Sequence, residues 1–259
     1  MKQKMTAKVY SQTEIAPGIF DMWIETPLAD EAAAGQFIGV YPKDKSTLLP
    51  RPISICEVNK KDGMLRIVYR VAGKGTGEFA TYHEGDMVEI LGVLGNGFPV
   101  AEGTGKKVVL MGGGIGIPPM VELAKELCES GVSPVAVVGY RDNKLFLKED
   151  LAQFAKVYVA TEDGSEGTKG NVLTAMDEND IQADIIMACG PMPMLRGIKK
   201  YSEEKGIKAY ISLEERMACG VGACLGCVCK TKKVDHHSHV NNARICTDGP
   251  VFDAEDVEI

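Results

Sequence analysis

Near the carboxyl end, Cys219, Cys224, Cys227 and Cys246 follow the spacing C-x4-C-x2-C-x18-C in a stretch with almost no helical periodicity. Residues 216–259 hold five of the 8 cysteines and three of the 4 histidines, so something other than an apolar core has to organise them. The spacing is that of a plant-type [2Fe–2S] centre, which needs four converging thiolates. Gly220, Gly222 and Gly226 let the backbone wrap such a group without Cβ clashes. The set Cys219, Cys224, Cys227 and Cys246 leaves out Cys229. A zinc site built from Cys224 and Cys227 with His236, His237 or His239 competes, although it wastes Cys219 and Cys246. A disulfide framework is disfavoured, because the opening residues MKQKMTAKVYSQTEIAPGIF contain no secretory apolar run and cytoplasmic thiols stay reduced.

The rest of the chain is ordinary globular material, 45% hydrophobic and 25% charged over 259 residues. A net charge of −7 argues against nucleic acid as a partner. The longest apolar stretch, Val108 to Leu123, is broken by glycines and prolines and contains Glu122, so no membrane span is expected. Residues 1–101 show short β-rich runs (KVYSQTEI, IFDMWIET, QFIGVYP, MLRIVYRV, DMVEILGVLG), read as an antiparallel barrel or sandwich. Residues 102–215 alternate strand and helix: KVVLMG, PPMVELAKELCESG, PVAVVGYR, KVYVATEDG, NVLTAMDEN, ADIIMACG, PMPMLRGIKKYSEEKG and KAYISLEE. That order is expected of a doubly wound parallel sheet. The third segment is 216–259.

Four motifs suggest bound nucleotides. GGGIGIPP places Gly112, Gly113, Gly114 and Gly116 in a strand-to-helix turn, where unpaired N–H groups favour an anion, though the final glycine of G-x-G-x-x-G is absent. Cys189 and Gly190 close the fourth strand at the carboxyl edge, where open α/β sheets bind ligands; read alone, Cys189 is a small buried hydrophobe. Arg51-Pro52-Ile53-Ser54 offers a guanidinium fork and a hydroxyl, and Gly73-Lys74-Gly75-Thr76-Gly77 leads toward a helix at Glu78.

Taken in order with CGVGACLGC and ICTDGPVF, these motifs resemble the ferredoxin reductase superfamily and, within it, the electron-transfer subunits of class 1B dihydroorotate dehydrogenases. The resemblance covers essentially the whole chain. It implies a flavin-binding β-barrel, an NAD-binding α/β domain and a small C-terminal [2Fe–2S] segment facing a separate FMN-containing catalytic subunit, in a cytoplasmic heterotetramer of two of each that serves pyrimidine biosynthesis. It further implies that Arg51, Pro52, Ile53 and Ser54 contact FAD, with Ile53 where many relatives carry a flavin-stacking tyrosine. Val68, Tyr69 and Arg70 would form the second FAD segment, and Gly75 and Thr76 would lie at its phosphates. Gly112, Gly113, Gly114 and Gly116 would face the NAD pyrophosphate, with Cys189 and Gly190 near the nicotinamide. No general acid, base or nucleophile for dihydroorotate oxidation stands out, which fits chemistry carried by a partner. NAD and NADP both remain open, since Glu162 and Asp163 could disfavour a 2′-phosphate or simply face solvent. Two other readings stand beside this one: the small subunit of an NADH-dependent ferredoxin:NADP oxidoreductase or sulfide dehydrogenase complex, and a zinc-binding nucleotide adaptor.

Overall fold

Alternation of apolar and polar residues, the pattern of a half-buried strand, builds the first unit. In the computed structural model, which describes residues 2–234 and 239–259, six strands form it: β1 (Gln3–Ala16), β2 (Ile19–Glu25), β3 (Phe37–Tyr41), β4 (Arg51–Asn59), β5 (Met64–Arg70) and β6 (Met87–Leu94). They close in the order β1-β2-β5-β4-β3-β6, with β1 pairing antiparallel to β6 across the seam. The expected barrel-or-sandwich is therefore a closed barrel, and the stretch quoted as a binding motif, Arg51 onward, supplies β4, the strand missing from the five runs read in the sequence. Inward-facing Val9, Met22, Ile24, Ile38, Ile55, Ile67 and Ile90 fill the interior. A short helix α1 (Lys74–Phe79) plugs the end between β5 and β6.

The second unit alternates strand and helix, with a short helix α3 and a short strand β10 added to the elements read from the sequence: β7 (Val108–Gly113), α2 (Pro118–Glu129), β8 (Val135–Tyr140), α3 (Lys148–Ala152), β9 (Lys156–Thr161), β10 (Thr168–Lys169), α4 (Val172–Glu178), β11 (Ile185–Cys189), α5 (Met192–Lys205) and β12 (Lys208–Ser212). Gly131 at φ +80° and Gly206 at φ +66° stop α2 and α5, since left-handed backbone costs glycine little. The sheet order is β10-β9-β8-β7-β11-β12-β15. Strand order reverses between β7 and β11, and the crevice at that switch point is where ligands of such sheets lie. Among the described residues no helix is long and apolar enough to cross a membrane.

The last unit is a hairpin, β13 (Val228–Lys230) with β14 (Asn242–Arg244), followed by β15 (Val251–Asp253), which adds antiparallel to β12 at the sheet edge. Cys227, Ile245 and Cys246 are buried in the same cluster as Leu213 and Met217. Asn96 of the barrel end also holds this unit, donating from its backbone to Gly249 O (2.6 Å) and from its side chain to Thr247 O (3.0 Å). The segment thus borrows the core of its neighbours.

Helix α2 fastens sheet to barrel through polar groups that burial makes demanding. Glu122 accepts from the Val58 N–H at 2.8 Å, Glu126 accepts from the Ala34 N–H at 2.8 Å, and Lys125 donates to Val58 O at 2.6 Å. A buried N–H stripped of its acceptor costs about 1–3 kcal/mol. Glu122→Ala should therefore lower stability by about that amount in guanidinium titrations, while Glu129→Ala on the exposed side stays within about 0.5 kcal/mol of the parent.

Candidate functional site

A cavity of about 880 Å³ opens where the three units meet. Its wall includes Arg51–Ser54 of β4, the end of β5, Thr76, Ile115 from the turn after β7, residues 212–217 after β12, and Ile245 beside Cys246. That volume suits a large cofactor.

The β4 side is shaped by close approach. A Cβ built on Gly75 would stand 2.7 Å from Arg51 Nε, so the guanidinium lies directly over the first turn of α1. Arg51 Nη1 also donates to Leu49 O. The glycine-rich run does not lead into a helix at Glu78; the helix already starts at Lys74. Thr76 explains the difference, because its Oγ1 accepts from Ala72 N (2.9 Å) and Gly73 N (3.2 Å) and folds the glycines into the first turn. With that hydroxyl occupied, Thr76 offers an anion its main chain.

Tyr69 and its neighbours divide by strand alternation. The Tyr69 ring turns into the barrel, where its hydroxyl donates to Gln12 Oε1 at 2.8 Å and its face stacks on Phe20. Val68 and Arg70 face outward, and Arg70 stands toward Glu214 across the cavity. Burial pushes the Glu214 carboxyl above its ordinary range and the Arg70 charge draws it partly back. Glu214 is exposed where it lines the cavity, and its shift comes from the protein atoms packed around it. Sequence reasoning missed it: Glu214 read as the acidic end of a strand, and the only available signal was its place at the carboxyl edge.

At the switch point the structure brings both nucleotide motifs together. A Cβ on Gly116 would lie 2.4 Å from Cys189 O, so the turn Gly114–Gly116 rests on the backbone of Cys189–Gly190. Gly112 pairs with Cys189 across β7 and β11, and Gly113 and Gly190 both pack against the Met194 side chain. Pro118 and Pro119 open α2 and have no N–H, and Met120 N already donates to Ile117 O. Donors for an anion must then come from the turn rather than from the first turn of α2. The Cys189 thiol is buried behind Ser212; burial pushes its pKa up to about 12, the Glu214 charge adds to this, and Ser212 partly offsets it. Of the two acidic residues after β9, Asp163 is engaged by Ser165 N at 2.9 Å.

The cysteine loop is arranged around sulfur. Cys219 Sγ accepts from Cys224 N (3.4 Å) and Val221 N (3.5 Å). Burial opposes ionisation there, yet these N–H groups and the Cys224 thiol bring Cys219 down to about 6. Cys246 bears on Cys227 and Cys219; burial and the Cys227 thiol hold it up at about 11. Cys224 thus acts on Cys219, and Cys227 and Cys219 act on Cys246. Gly222 (φ +81°) is required at its turn, where a Cβ would meet Thr247 Cγ2 at 2.6 Å. Cys229 sits apart on β13 opposite Ala243, and the groups acting on it, Ala243, Glu215 and Asp248, include no other cysteine. Among the described residues no three His, Cys, Asp or Glu side chains gather closely enough to hold a lone metal ion; a two-iron centre distributes four thiolates over two metals. His236 and His237, used by the zinc reading, lie outside the described residues. The cysteine spacing and the N–H groups aimed at Cys219 Sγ fit an iron–sulfur cluster.

Comparison with known proteins agrees. The family described as the iron-sulfur cluster binding domain of dihydroorotate dehydrogenase B matches residues 214–258. A relative from Streptococcus mutans, named dihydroorotate dehydrogenase B (NAD(+)), electron transfer subunit, is 44% identical over 255 residues, covering 98% of this chain and 96% of the relative. One of the same name from Streptococcus pneumoniae is 42% identical over 249 residues, covering 95% of each. Among solved structures, one of an NADH-dependent reduced ferredoxin-NADP oxidoreductase superposes with a TM-score of 0.84 at 28% identity, covering 97% of this chain and 89% of that one.

Two serine substitutions separate the cysteines by role. Cys246→Ser is expected to lose most of the bound iron while flavin absorbance persists, and Cys229→Ser to keep both; equal iron in the two purified variants would contradict the ligand set.

Proposed function

The chain belongs to the electron transfer subunits of dihydroorotate dehydrogenase B (NAD(+)), and from that membership we propose a path for the electrons through its own residues. Membership implies a catalytic partner subunit. In the proposed path electrons leave an FMN-containing partner that oxidises dihydroorotate, pass through a [2Fe–2S] centre on Cys219, Cys224, Cys227 and Cys246, and reach FAD in the 880 Å³ cavity and then NAD⁺ at the switch point. The barrel (1–101), the sheet domain (102–215) and the cysteine segment (216–259) would each hold one cofactor. We place the assembly in the cytoplasm as two copies of each subunit.

Flavin supplies the exchange between single electrons and hydride. What the chain supplies is position and potential. Arg51, with the first-turn main chain of α1 at Gly75 and Thr76, would grip the flavin pyrophosphate. Pro52, Ile53 and Ser54 would face the ring system, with Ile53 as an apolar contact where an aromatic stack is absent. Gly112, Gly113, Gly114 and Gly116 would let the dinucleotide backbone approach, with Gly190 beside them. Cys189 would back the nicotinamide as a neutral thiol, excluded from proton traffic by its burial. Glu214, on the cavity wall, would take up or release the proton that accompanies two electrons, its affinity raised by the protein atoms around it. Hydrogen bonds to Cys219 Sγ stabilise the more negative, reduced state of a cluster.

The observation that carries this reading is the shared wall: Met217 and Ile245, neighbours of two cluster cysteines, line the same cavity as Arg51 and Ile115. The structural likeness to an NADH-dependent reduced ferredoxin-NADP oxidoreductase favours a second reading, a ferredoxin-linked small subunit, but at 28% identity against 44%. Mixing the chain with its catalytic subunit and adding dihydroorotate anaerobically should bleach this chain's flavin, and a flavin that only reduced ferredoxin bleaches would favour the second reading. A raised Glu214 pKa also sets a direction in pH: the protonated form, and any step that needs it, is lost as pH climbs through that value. Glu214→Gln should flatten the alkaline limb of the flavin-reduction rate in stopped-flow traces; an unchanged profile would remove Glu214 from the proton path.

A further inference from the structure

Residues two apart on a strand share a face, so Arg66, Val68 and Arg70 of β5 point the same way, out of the barrel. Val68 packs in the core shared with Ile117 and Val121 of the sheet domain, and Arg70 reaches the cavity. Arg66 lies in the seam between the units, 8% exposed, and every nitrogen of its guanidinium is engaged. Nε and Nη2 donate to Asp21 (3.0 and 2.8 Å) and Nη1 donates to Glu57 (3.0 Å), both on the barrel. The same Nη1 crosses to Asp150 on α3 of the sheet domain at 2.5 Å. Barrel carboxylates alone already outnumber the cation. A third carboxylate is not needed for neutralisation, and what it adds is a short charged link across the seam.

That link has leverage. The far end of β5 forms the cavity wall, and β5 also touches the turn Gly114–Gly116 on the sheet side. Hydride transfer requires reacting atoms about 3–3.5 Å apart, and a misplacement of about 1 Å can cost about a hundredfold. We propose that the Arg66–Asp150 ion pair is a positioning device, setting the separation between the barrel face that holds flavin and the sheet edge that holds nicotinamide. The proposal rests on the assignment of those two sites given above. Asp150 acts through β5 and touches neither site, so it is a positioning residue. Its removal leaves Arg66 paired with Asp21 and Glu57, so no buried charge is stranded and the fold should survive.

The experiment uses the two-subunit holoenzyme with Asp150→Asn, Asp150→Ser as a second variant should the first fail to accumulate, and Asp150→Glu as the conservative rescue. Four quantities are read: flavin and iron content, the stopped-flow rate of flavin reduction at saturating NADH, the long-wavelength charge-transfer absorbance between nicotinamide and flavin, and amide exchange in β5 and α3. Expected are parental cofactor content, faster exchange in both elements, a weakened charge-transfer band and a rate at saturation lower by about tenfold, within the range that misplacement produces. KM for NADH should move far less than the rate, and Asp150→Glu should recover most of it. A parental rate at saturation, a change confined to KM, or exchange unaltered in β5 and α3 each overturns the positioning role. Parental enzyme whose flavin NADH does not reduce at all overturns instead the site assignment beneath it.

Discussion

Four thiols crowded into one loop repel each other once ionised, and a segment of irregular backbone has little apolar substance with which to resist. The resistance here comes from main-chain donors within the loop and from a core shared with the neighbouring units. Main-chain N–H groups of Val221 and Cys224 point at Cys219 Sγ, while Cys227 and Cys246 are sunk into a core shared with sheet and barrel residues such as Leu213, Ile211 and Leu94. Strand β15 then sews the end of the chain onto β12. Burial holds the Cys246 thiol up at about 11, so without a metal it is a neutral thiol there, and a cluster bound at this place would displace its proton and add its binding free energy to folding.

Because the cysteine segment leans on both other units, the cavity between them acquires three kinds of wall. Barrel strands bring a cation and a hydroxyl at Arg51 and Ser54, the sheet brings Ile115 and Ser212, and the cysteine segment brings Ile245. Topology dictates much of this. The strand order reverses between β7 and β11 and leaves a crevice at their carboxyl ends, and the chain leaving β12 passes along it through Glu214 before reaching Cys219. A carboxyl on the cavity wall and the route to the cysteine loop are consequences of the same crossing.

Much of this architecture was legible in the sequence because it rests on local patterns. Apolar runs alternating with amphipathic helices, stopped by Gly131 and Gly206, gave the main strands and helices of the parallel-sheet domain in chain order, and the cysteine spacing marked the loop that would hold a cluster. What stayed hidden depends on contacts distant in sequence. Strand β4 was disguised by Pro52 and by its mixed polarity; β10 and β15 span only 2 and 3 residues and exist through pairing. The orientation of Tyr69, the internal use of the Thr76 hydroxyl and the loss of donors at Pro118–Pro119 are matters of side-chain direction and hydrogen-bond accounting. Glu214 and Arg66 carry no motif, and only the closing of two units over them gives either a role.

The central claim is that Cys219, Cys224, Cys227 and Cys246 hold a pair of irons through which electrons enter or leave. Low-temperature electron paramagnetic resonance of the anaerobically purified protein after dithionite, read beside iron and acid-labile sulfide analysis, tests it most directly. The account predicts a spin-one-half signal from a reduced diiron centre with iron and sulfide in equal amounts. A silent spectrum from protein that carries stoichiometric zinc and no labile sulfide would contradict it.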